Sequence, residues 1–313
     1  MLDFFLLICG LAGLWLGSEV LIRAAISLTD HFNVSDAVIG MLVLAIGTDL
    51  PELFIAFDAS FRSLAGEDLS GIIIGSAIGS SIGQLALVFG ITGFIGFSSR
   101  PWRLALRNSI FLFGAMILLL VFSLDGLISR SEGWWLIATY CAYLSTLVFW
   151  KSTNGEPTDE AAEMPMVKAV AYILAGLAIL LLAAELTVVS ATDFAASVGL
   201  SNLGVSAVII GLGSSLPELS VSIIALMKNR GGLSVGNLLG SNVLDSLLVP
   251  GVGATISPLV IPVSVLWLDL PVLALVTLLV IGFLYFSPRG VQKIEASLLL
   301  VIYTSYALVR VVL

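Results

Sequence analysis

The segment GTDLPE, residues 47–52, interrupts an apolar run that extends from Val38 to Phe61. A second copy of the pattern, GSSLPE at residues 213–218, interrupts the apolar run from Val205 to Met227. Proline lacks a backbone donor and clashes with the carbonyl one turn earlier, so a helix bends or opens at this point. In lipid, the freed backbone groups must face protein or a wet space, and a carboxylate there is costly unless it binds something. Two such breaks in corresponding places of a chain are typical of a transporter's ion site.

The composition indicates a membrane protein. Of 313 residues, 59% are hydrophobic and 11% are charged, with a mean hydropathy of +1.13, whereas soluble domains carry about 25% charged residues. The apolar runs predict ten spans of roughly 20 residues each. The predicted spans are residues 2–22, 36–61, 69–96, 103–124, 132–150, 167–191, 203–227, 232–257, 263–286 and 292–312.

Several classes of function are disfavoured by the same composition. The net charge of −8 gives no basis for nucleic-acid binding. Cys9 and Cys141 both fall in apolar runs, so we expect no disulfide. The N-terminus lacks a basic region and a small-residue cleavage site, so we expect the first apolar run to be a genuine span. We therefore predict cation substrates and a lipid bilayer as the partners, with no nucleic acid, no obligate protein partner and no cofactor.

The basic residues predict the orientation in the cell (inner) membrane. With the N-terminus outside, ten of the 13 basic residues fall on the inner side, and only Arg62, Arg130 and Arg310 fall on the outer side. The inner set is Arg23, Arg100, Arg103, Arg107, Lys151, Lys168, Lys228, Arg230, Arg289 and Lys293. We therefore expect both termini outside and the polar linker, residues 151–166, in the cytoplasm.

The two halves of the chain repeat each other. An offset of 166 residues relates Gly47 to Gly213, Pro51 to Pro217, Glu52 to Glu218 and Glu19 to Glu185. Five spans per half is an odd number, so the second copy enters the membrane from the opposite side. The predicted fold is an all-α membrane protein with about ten transmembrane helices in two inverted five-helix repeats, broken at the midplane. The repeats are residues 1–150 and 167–313, and their motif regions are residues 47–84 and 211–245.

A second motif follows each break. GNLLGSNVLD at residues 236–245 corresponds to GIIIGSAIGS at residues 71–80, which pairs Ser241 with Ser76 at an offset of 165. Residues four apart share a helix face, so Ser241 lies beside Asp245, and Ser76, Ser80 and Gln84 form one row. The glycines at every fourth position from residue 71 to residue 83 favour close helix packing.

These motifs resemble the two repeats of the sodium/calcium exchanger family, within the cation/calcium exchanger superfamily, and in particular its bacterial-type ten-helix antiporters. The resemblance covers the whole chain and implies four central ion sites, one favouring calcium and the others sodium. It also assigns ligand roles by motif position. The implied ligands are Thr48, Asp49, Glu52, Ser76, Ser80, Ser214, Ser215, Glu218, Ser241 and Asp245.

The first repeat departs from the family pattern. The family usually has serine or threonine at the position of Asp49, and asparagine, or aspartate in potassium-dependent members, at the position of Ser80. It also has asparagine at the positions of Ile72 and Ala77. With Asp49, four acids could share one site, and either a proton or an extra cation would then be held there. Alternatively, the Asp49 side chain turns aside to cap a helix end or to bond a neighbouring hydroxyl.

The oxygen-rich set suits hard cations, since calcium takes six to eight oxygen ligands. A histidine or cysteine cluster suited to zinc is absent from the sequence, and we interpret the sole histidine, His31, as solvated. The predicted function is calcium/sodium exchange by alternating access, with calcium/proton exchange as the alternative that Asp49 and Ser80 raise, and transported Ca²⁺, Na⁺ and H⁺ as the ions concerned. A cation channel is a remoter alternative. An intramembrane protease is disfavoured because the required aspartate pair or membrane histidine is missing, so we expect no enzyme.

Four acids outside the motifs receive other interpretations. We favour an interfacial or capping role for Glu19 and Glu185 over ion binding. Asp58 is expected to face the outer vestibule or another partner, since six residues separate it from Glu52. Asp269 stands just before Pro271 and is interpreted as a helix-start residue.

Overall fold

A computed structural model of the chain describes residues 2–95, 102–149, 164–197, 213–286 and 291–312. Its helices, with one pair of two-residue strands, follow the predicted spans, except that α1 continues to Phe32, ten residues beyond its predicted end. In the first half they are α1 (Leu2–Phe32), α2 (Asp36–Thr48), α3 (Leu50–Leu64), α4 (Ser70–Ile95), α5 (Trp102–Ser123) and α6 (Arg130–Phe149). In the second half they are α7 (Met166–Ser197), α8 (Leu216–Met227), α9 (Gly231–Ile256), α10 (Val265–Phe286) and α11 (Lys293–Val312).

The helices have the length and hydropathy of a multi-pass membrane protein. Among the described residues, α1, α4, α7, α9 and α10 are each long and apolar enough to cross a membrane. A sixth crossing is made by α2 and α3 together, which are bent by 45° at the break between them. The seventh predicted span is described only from residue 213 onward, where α8 is a short apolar helix. The all-α, ten-span prediction is therefore confirmed in its architecture.

The two strands join loops that are distant in sequence. Leu127–Ile128 pairs antiparallel with Leu259–Val260, in the register Leu127 to Val260 and Ile128 to Leu259. This short ladder ties the connection after α5 to the connection after α9. It is the one departure from an all-helical chain among the residues described.

Helices α1 and α7 pack backbone against backbone through glycine. A Cβ at Gly17 would lie 2.8 Å from the Leu180 nitrogen, and a Cβ at Gly176 would lie 2.9 Å from the Leu21 nitrogen. Gly10, the counterpart of Gly176 at an offset of 166, lies in turn against Thr187, the counterpart of Leu21. The repeat predicted from the sequence therefore reappears as matching contacts.

Helix α9 occupies the centre of the molecule, and most of its side chains are buried. Its first turns lie directly on α2. A Cβ at Gly240 would lie 2.8 Å from the Met41 Cα, and a Cβ at Gly40 would lie 2.8 Å from the Asn237 nitrogen. The central position of α9 explains how its polar residues reach both broken segments.

The helix ends correct the predicted register between α4 and α9. The starts of α3 and α8, Leu50 and Leu216, keep the offset of 166. However, α3 has 15 residues and α8 has 12, and the following connections have five residues (65–69) and three (228–230). Helix α4 therefore starts at Ser70 and α9 at Gly231, which is an offset of 161. The predicted pairing of Ser76 with Ser241 is wrong by one helical turn.

In the corrected register Ser241 corresponds to Ser80, and Asp245 corresponds to Gln84. Asn237 and Asn242 then correspond to Ser76 and Ser81. The amide that the first repeat was expected to lack is thus present, one turn further along α4.

Of the outlying acids, Asp269 differs from expectation and Asp58 does not. Asp269 is buried in a π-helical turn at residues 265–269, where it accepts hydrogen bonds from Arg310 at 2.6 Å and from Tyr306 at 3.0 Å. It therefore joins α10 to α11 and does more than start a helix. Asp58 is exposed, as expected, and lies 3.8 Å from Arg62.

Candidate ion-binding site

The two broken segments have the same local geometry. Asp49 precedes α3 with φ −88° and ψ 8°, and Ser215 precedes α8 with φ −100° and ψ 4°. The prolines, Pro51 and Pro217, fall in the first turn of each helix, where the missing N–H would be unpaired in any case. This placement starts α3 and α8 without leaving a lost hydrogen bond inside either helix.

Each helix then presents a glutamate from its first turn. Glu52 and Glu218 are both buried, as are Asp49 and Asp245. Asp245 interacts electrostatically with the other three acids, and Asp49 interacts with both glutamates. The structure therefore brings four carboxylates from α3, α8, α9 and the α2–α3 break into one group, which we call the carboxylate cluster.

The carboxylate cluster lacks compensating positive charge within the described part of the chain. None of the ion pairs among the described residues includes any of its four members. Both oxygens of Asp49 and both of Glu218 also lack hydrogen-bond partners there. Unpaired buried carboxylates are strongly unfavourable, so this arrangement requires cations or protons.

Asp49 does not cap a helix. It occupies the residue before α3, but its side chain makes no capping hydrogen bond. The carboxylate instead lies beside Ser241, Glu218 and Gln84. The capping alternative raised by the sequence is therefore not what the structure shows.

Gln84 links the two halves of the site. Its Nε2 donates to Ser80 Oγ at 3.0 Å and lies 3.5 Å from Asp245 Oδ2. Its Oε1 accepts a hydrogen bond of 2.8 Å from Asn242 Nδ2. Gln84 is itself fully buried, within a π-helical turn at residues 83–88. The amide thus orients one side chain from α4 and two from α9.

Buried hydroxyl groups surround the carboxylates. Ser80 lies beside Glu52 and Asp245. Ser241 and Ser215 are buried, and neither hydroxyl has a hydrogen-bond partner among the described residues. Thr48 Oγ1 donates to the Ala45 carbonyl at 3.4 Å and to Asn237 Oδ1 at 3.5 Å, which are long contacts.

Eight of the ten residues expected at the site are buried, and two are not. Ser76 is half-buried, one turn before Ser80 on α4, and Ser214 is exposed. The predicted packing role of the α4 glycines holds only in part. A Cβ at Gly83 would lie 2.6 Å from Ser215 Oγ, but one at Gly75 or Gly79 would meet none of the described atoms within 4 Å.

The four carboxylates do not form a compact metal-binding group by themselves among the described residues. In the described ranges, no three His, Cys, Asp or Glu side chains form a group close enough to coordinate one ion. A cation here would need hydroxyl, amide and backbone oxygens beside each carboxylate. That mixed oxygen set suits hard cations with flexible coordination.

Sequence reasoning placed Gln84 on the same helix face as Ser80, but it assigned neither Gln84 nor the motif residues Asn237 and Asn242 to the site. The signal for Gln84 was its position four residues after Ser80, which matches the spacing of Asp245 from Ser241. The repeated Gly-Ser dipeptides at residues 75–76 and 79–80 made two registers equally plausible.

Comparisons with known proteins agree with this geometry. The family described as "Sodium/calcium exchanger protein" matches residues 2–149 and 168–312. The inner membrane protein YrbG of Escherichia coli K12 is 30% identical over 270 residues, which are 81% of this chain and 79% of YrbG. The sodium/calcium exchanger MaX1 of Methanosarcina acetivorans is 24% identical over 98% of both chains.

The fold also matches a solved exchanger. A structure of the sodium-calcium exchanger NCX_Mj, soaked with 2.5 mM Na⁺ and 0.1 mM Ca²⁺, aligns with a TM-score of 0.79 and 30% identity over 97% of both chains. A structure of the same exchanger soaked with zero Na⁺ and Ca²⁺ aligns with a TM-score of 0.81. The duplicated helix breaks, the buried oxygen cluster and these matches lead to one conclusion: the chain is a member of the sodium/calcium exchanger family.

Proposed function

We propose that the protein is a secondary-active antiporter that exchanges calcium for sodium by alternating access. The observation that carries the proposal is the carboxylate cluster, four buried acids at the junction of two helix breaks with no cationic side chain paired to them in the described chain. Bound cations would supply the missing charge. MaX1 and NCX_Mj, which share the fold or the full length of this chain, are named as exchangers of these ions.

We assign the central ligand roles to Glu52, Glu218 and Asp245. The glutamates project from equivalent first turns, so they face each other across the pseudo-two-fold axis. Calcium and sodium would bind to these carboxylates in turn, because three acids cannot balance the charge of bound calcium and of bound sodium ions at the same time. Hydroxyls complete the coordination, from Thr48, Ser80, Ser214, Ser215 and Ser241. Ser76, half-buried one turn before Ser80, would lie at the edge of the site and contribute little to ion binding.

Gln84 joins this set as the first-half counterpart of Asp245. Its amide holds Asp245 and Asn242 in place across the axis. Both halves of the site come from one chain, so a single copy supplies every ligand that we assign. Resident cofactors have no role in this scheme, in which calcium and sodium are substrates.

Asp49 supports calcium/proton exchange as a second candidate. Its carboxylate is buried beside Glu218 without a hydrogen bond to the described residues. A fourth acid can carry a proton through the cycle, or it can hold one more sodium ion. The two cases differ in whether a pH gradient alone drives calcium movement.

The decisive experiment is calcium uptake into proteoliposomes. We expect an outward sodium gradient to drive uptake, and an outward proton gradient to drive it if Asp49 couples protons. Glu218→Gln should abolish both activities, while the matched control Glu295→Gln, a half-exposed acid in the first turn of α11, should retain them. Uptake that stops at equilibrium with the calcium gradient, instead of exceeding it, would indicate a channel.

We also propose the orientation given by the basic residues, with both termini outside and residues 151–166 in the cytoplasm. Residues 1–150 and 167–313 would then be the two repeats. Labelling of a cysteine placed in the linker of right-side-out vesicles should require permeabilisation; labelling of intact vesicles would reverse the orientation.

A further inference from the structure

An ion pair outside the site joins α1 to the end of α8. Lys228 Nζ lies 2.7 Å from Glu19 Oε1, and the same oxygen accepts a hydrogen bond of 2.8 Å from Arg23 within α1. Neither Glu19 nor Lys228 is fully exposed. The pair therefore connects a helix outside the cluster to the helix that carries Glu218.

Helix α1 also covers one face of α8 above this pair. Ser18 Oγ donates to Ser220 Oγ at 2.7 Å, and Ser220 Oγ donates to the Leu14 carbonyl at 3.0 Å. These contacts and the Glu19–Lys228 pair form one continuous contact, which we call the α1–α8 contact.

The equivalent contact in the other half is absent. At an offset of 166, Glu19 corresponds to Glu185 on α7, and Lys228 corresponds to Arg62 on α3. Glu185 is exposed and has no ion pair among the described residues. Arg62 is bound instead to Glu67 at 2.6 Å. Glu185 and Arg62 thus have the opposite charges that an ion pair needs, but they do not form one in this structure.

The face of α3 that would receive α7 is uncovered. Phe54, the counterpart of Ser220, has 70% of its surface exposed, and Phe57 and Phe61 on the same side are also exposed. Glu185 and this aromatic face therefore occupy the places that Glu19 and the covered face of α8 occupy in the other half.

We propose that the two ion pairs exchange during transport: when the Glu19–Lys228 pair opens, Glu185 pairs with Arg62 and α7 covers Phe54 and Phe61. This inference rests on the proposed antiport, since only a protein with two opposite-facing states needs both contacts. In an inverted repeat, each half adopts in one state the arrangement that the other half has in the opposite state. The matching α1–α7 contacts show that the 166-residue offset holds for the helices concerned.

Arg62 reaches its new partner by giving up Glu67 and the longer contact with Asp58, at 3.8 Å. In the present state Glu67, in the loop after α3, pairs with Arg62. In the other half, Arg23 similarly binds the Glu19 oxygen that Lys228 also contacts. Exposed and half-exposed pairs are weak individually, so the exchange biases the two states by only a few-fold and does not lock either one.

The first test is cross-linking in a background that lacks the two native cysteines, Cys9→Ala and Cys141→Ala. The variant Glu185→Cys with Arg62→Cys should form a disulfide under copper phenanthroline in proteoliposomes. Adding Lys228→Ala should raise the rate of cross-linking about threefold or more, because it removes the competing pair. Absence of the disulfide, or a rate unaffected by Lys228→Ala, would overturn the proposal.

The second test is a charge-reversal cycle read out as the calcium exchange rate. Glu185→Arg and Arg62→Glu should each lower the rate of calcium transport several-fold, and the double variant should recover most of that rate. The matched control combines Glu185→Arg with Lys228→Glu, which should give no recovery. Additive effects of the first two changes would show that the residues never meet. Cross-linking needs no transport, so its result stands even if the proposed exchange of calcium for sodium is wrong.

Discussion

The two halves of the site carry the same number of carboxylates in different places. In the first half, the acids are Asp49 and Glu52 at the helix break, and α4 contributes the neutral Gln84. In the second half, Ser215 replaces the aspartate at the break, and α9 contributes Asp245. The two halves share the pair of glutamates, Glu52 and Glu218. The two additional acids are not equivalent, since Asp49 lies at the helix break of the first half and Asp245 lies on α9 of the second half.

This comparison separates what symmetry demands from what this chain has adjusted. The glutamates occupy equivalent positions, so exchanging the two repeats leaves them unchanged. Asp49 and Asp245 break the equivalence, so they can give the ions different environments on either side of the axis. Mutations at symmetric and asymmetric positions should therefore differ in kind as well as in size.

The largest effect is expected at the symmetric pair. Glu52→Gln and Glu218→Gln should each reduce sodium-driven calcium uptake at least a hundredfold, because each removes a charge that the cation needs in a poorly hydrated place. Gel filtration of the purified variants checks that they fold. Normal uptake by either variant would remove that glutamate from the site.

The next largest effect is expected at Gln84, the neutral counterpart of Asp245. Gln84→Ala should lower uptake about tenfold, since Asp245 and Asn242 lose the amide that orients them, a loss of about 1–2 kcal/mol for hydrogen bonds to a charged or amide group. Ser76→Ala, the position favoured by the uncorrected register, should change uptake less than twofold. If Ser76→Ala has the larger effect, the one-turn correction fails.

Packing gives a third contrast. Gly240→Ala should destabilise the protein by about 1–3 kcal/mol, because the new methyl group would lie 2.8 Å from the Met41 Cα on α2. Its counterpart Gly79→Ala meets none of the described atoms within 4 Å and should be close to neutral. Thermal unfolding in detergent measures both, and equal shifts would contradict the contrast.

The smallest effect on rate, and the most informative on mechanism, is expected for Asp49→Ser. This change makes the first break resemble the second, where Ser215 stands. Uptake should persist with a flatter dependence on pH or a stronger dependence on sodium, because the acid that can exchange a proton is gone. A pH profile and ion preference identical to those of the unmodified protein would leave Asp49 a structural residue.

The helix breaks were predictable because their causes are local. A proline next to a glutamate inside an apolar run has few structural solutions in a membrane. The prediction placed the break between α2 and α3 correctly, and in the second half, described from residue 213 onward, it placed the start of α8 correctly. The presence of an additional acid at Asp49 was equally visible in the sequence. The orientation of its side chain was not, because that depends on where the helix axis bends.

The register of α4 was not predictable, because Gly-Ser recurs every fourth residue there and either alignment preserves the helix face. Only the longer α3 and its longer loop, five residues in place of three, show which turn faces α9. The prediction for Asp269 was incomplete for another reason. Its partner Arg310 lies 41 residues away on a neighbouring helix, and a local sequence pattern does not show which helices are neighbours.

The fourth carboxylate also has an electrical consequence. A site with Asp49 ionised carries one more negative charge than a site with serine at that position, in every loading state. When access switches from one face to the other, that charge experiences a different share of the membrane voltage. A full elementary charge across 100 mV is worth about 2.3 kcal/mol, or about a fiftyfold change in an equilibrium. The steepness with which current through this protein follows voltage should therefore report whether Asp49 travels charged or neutral.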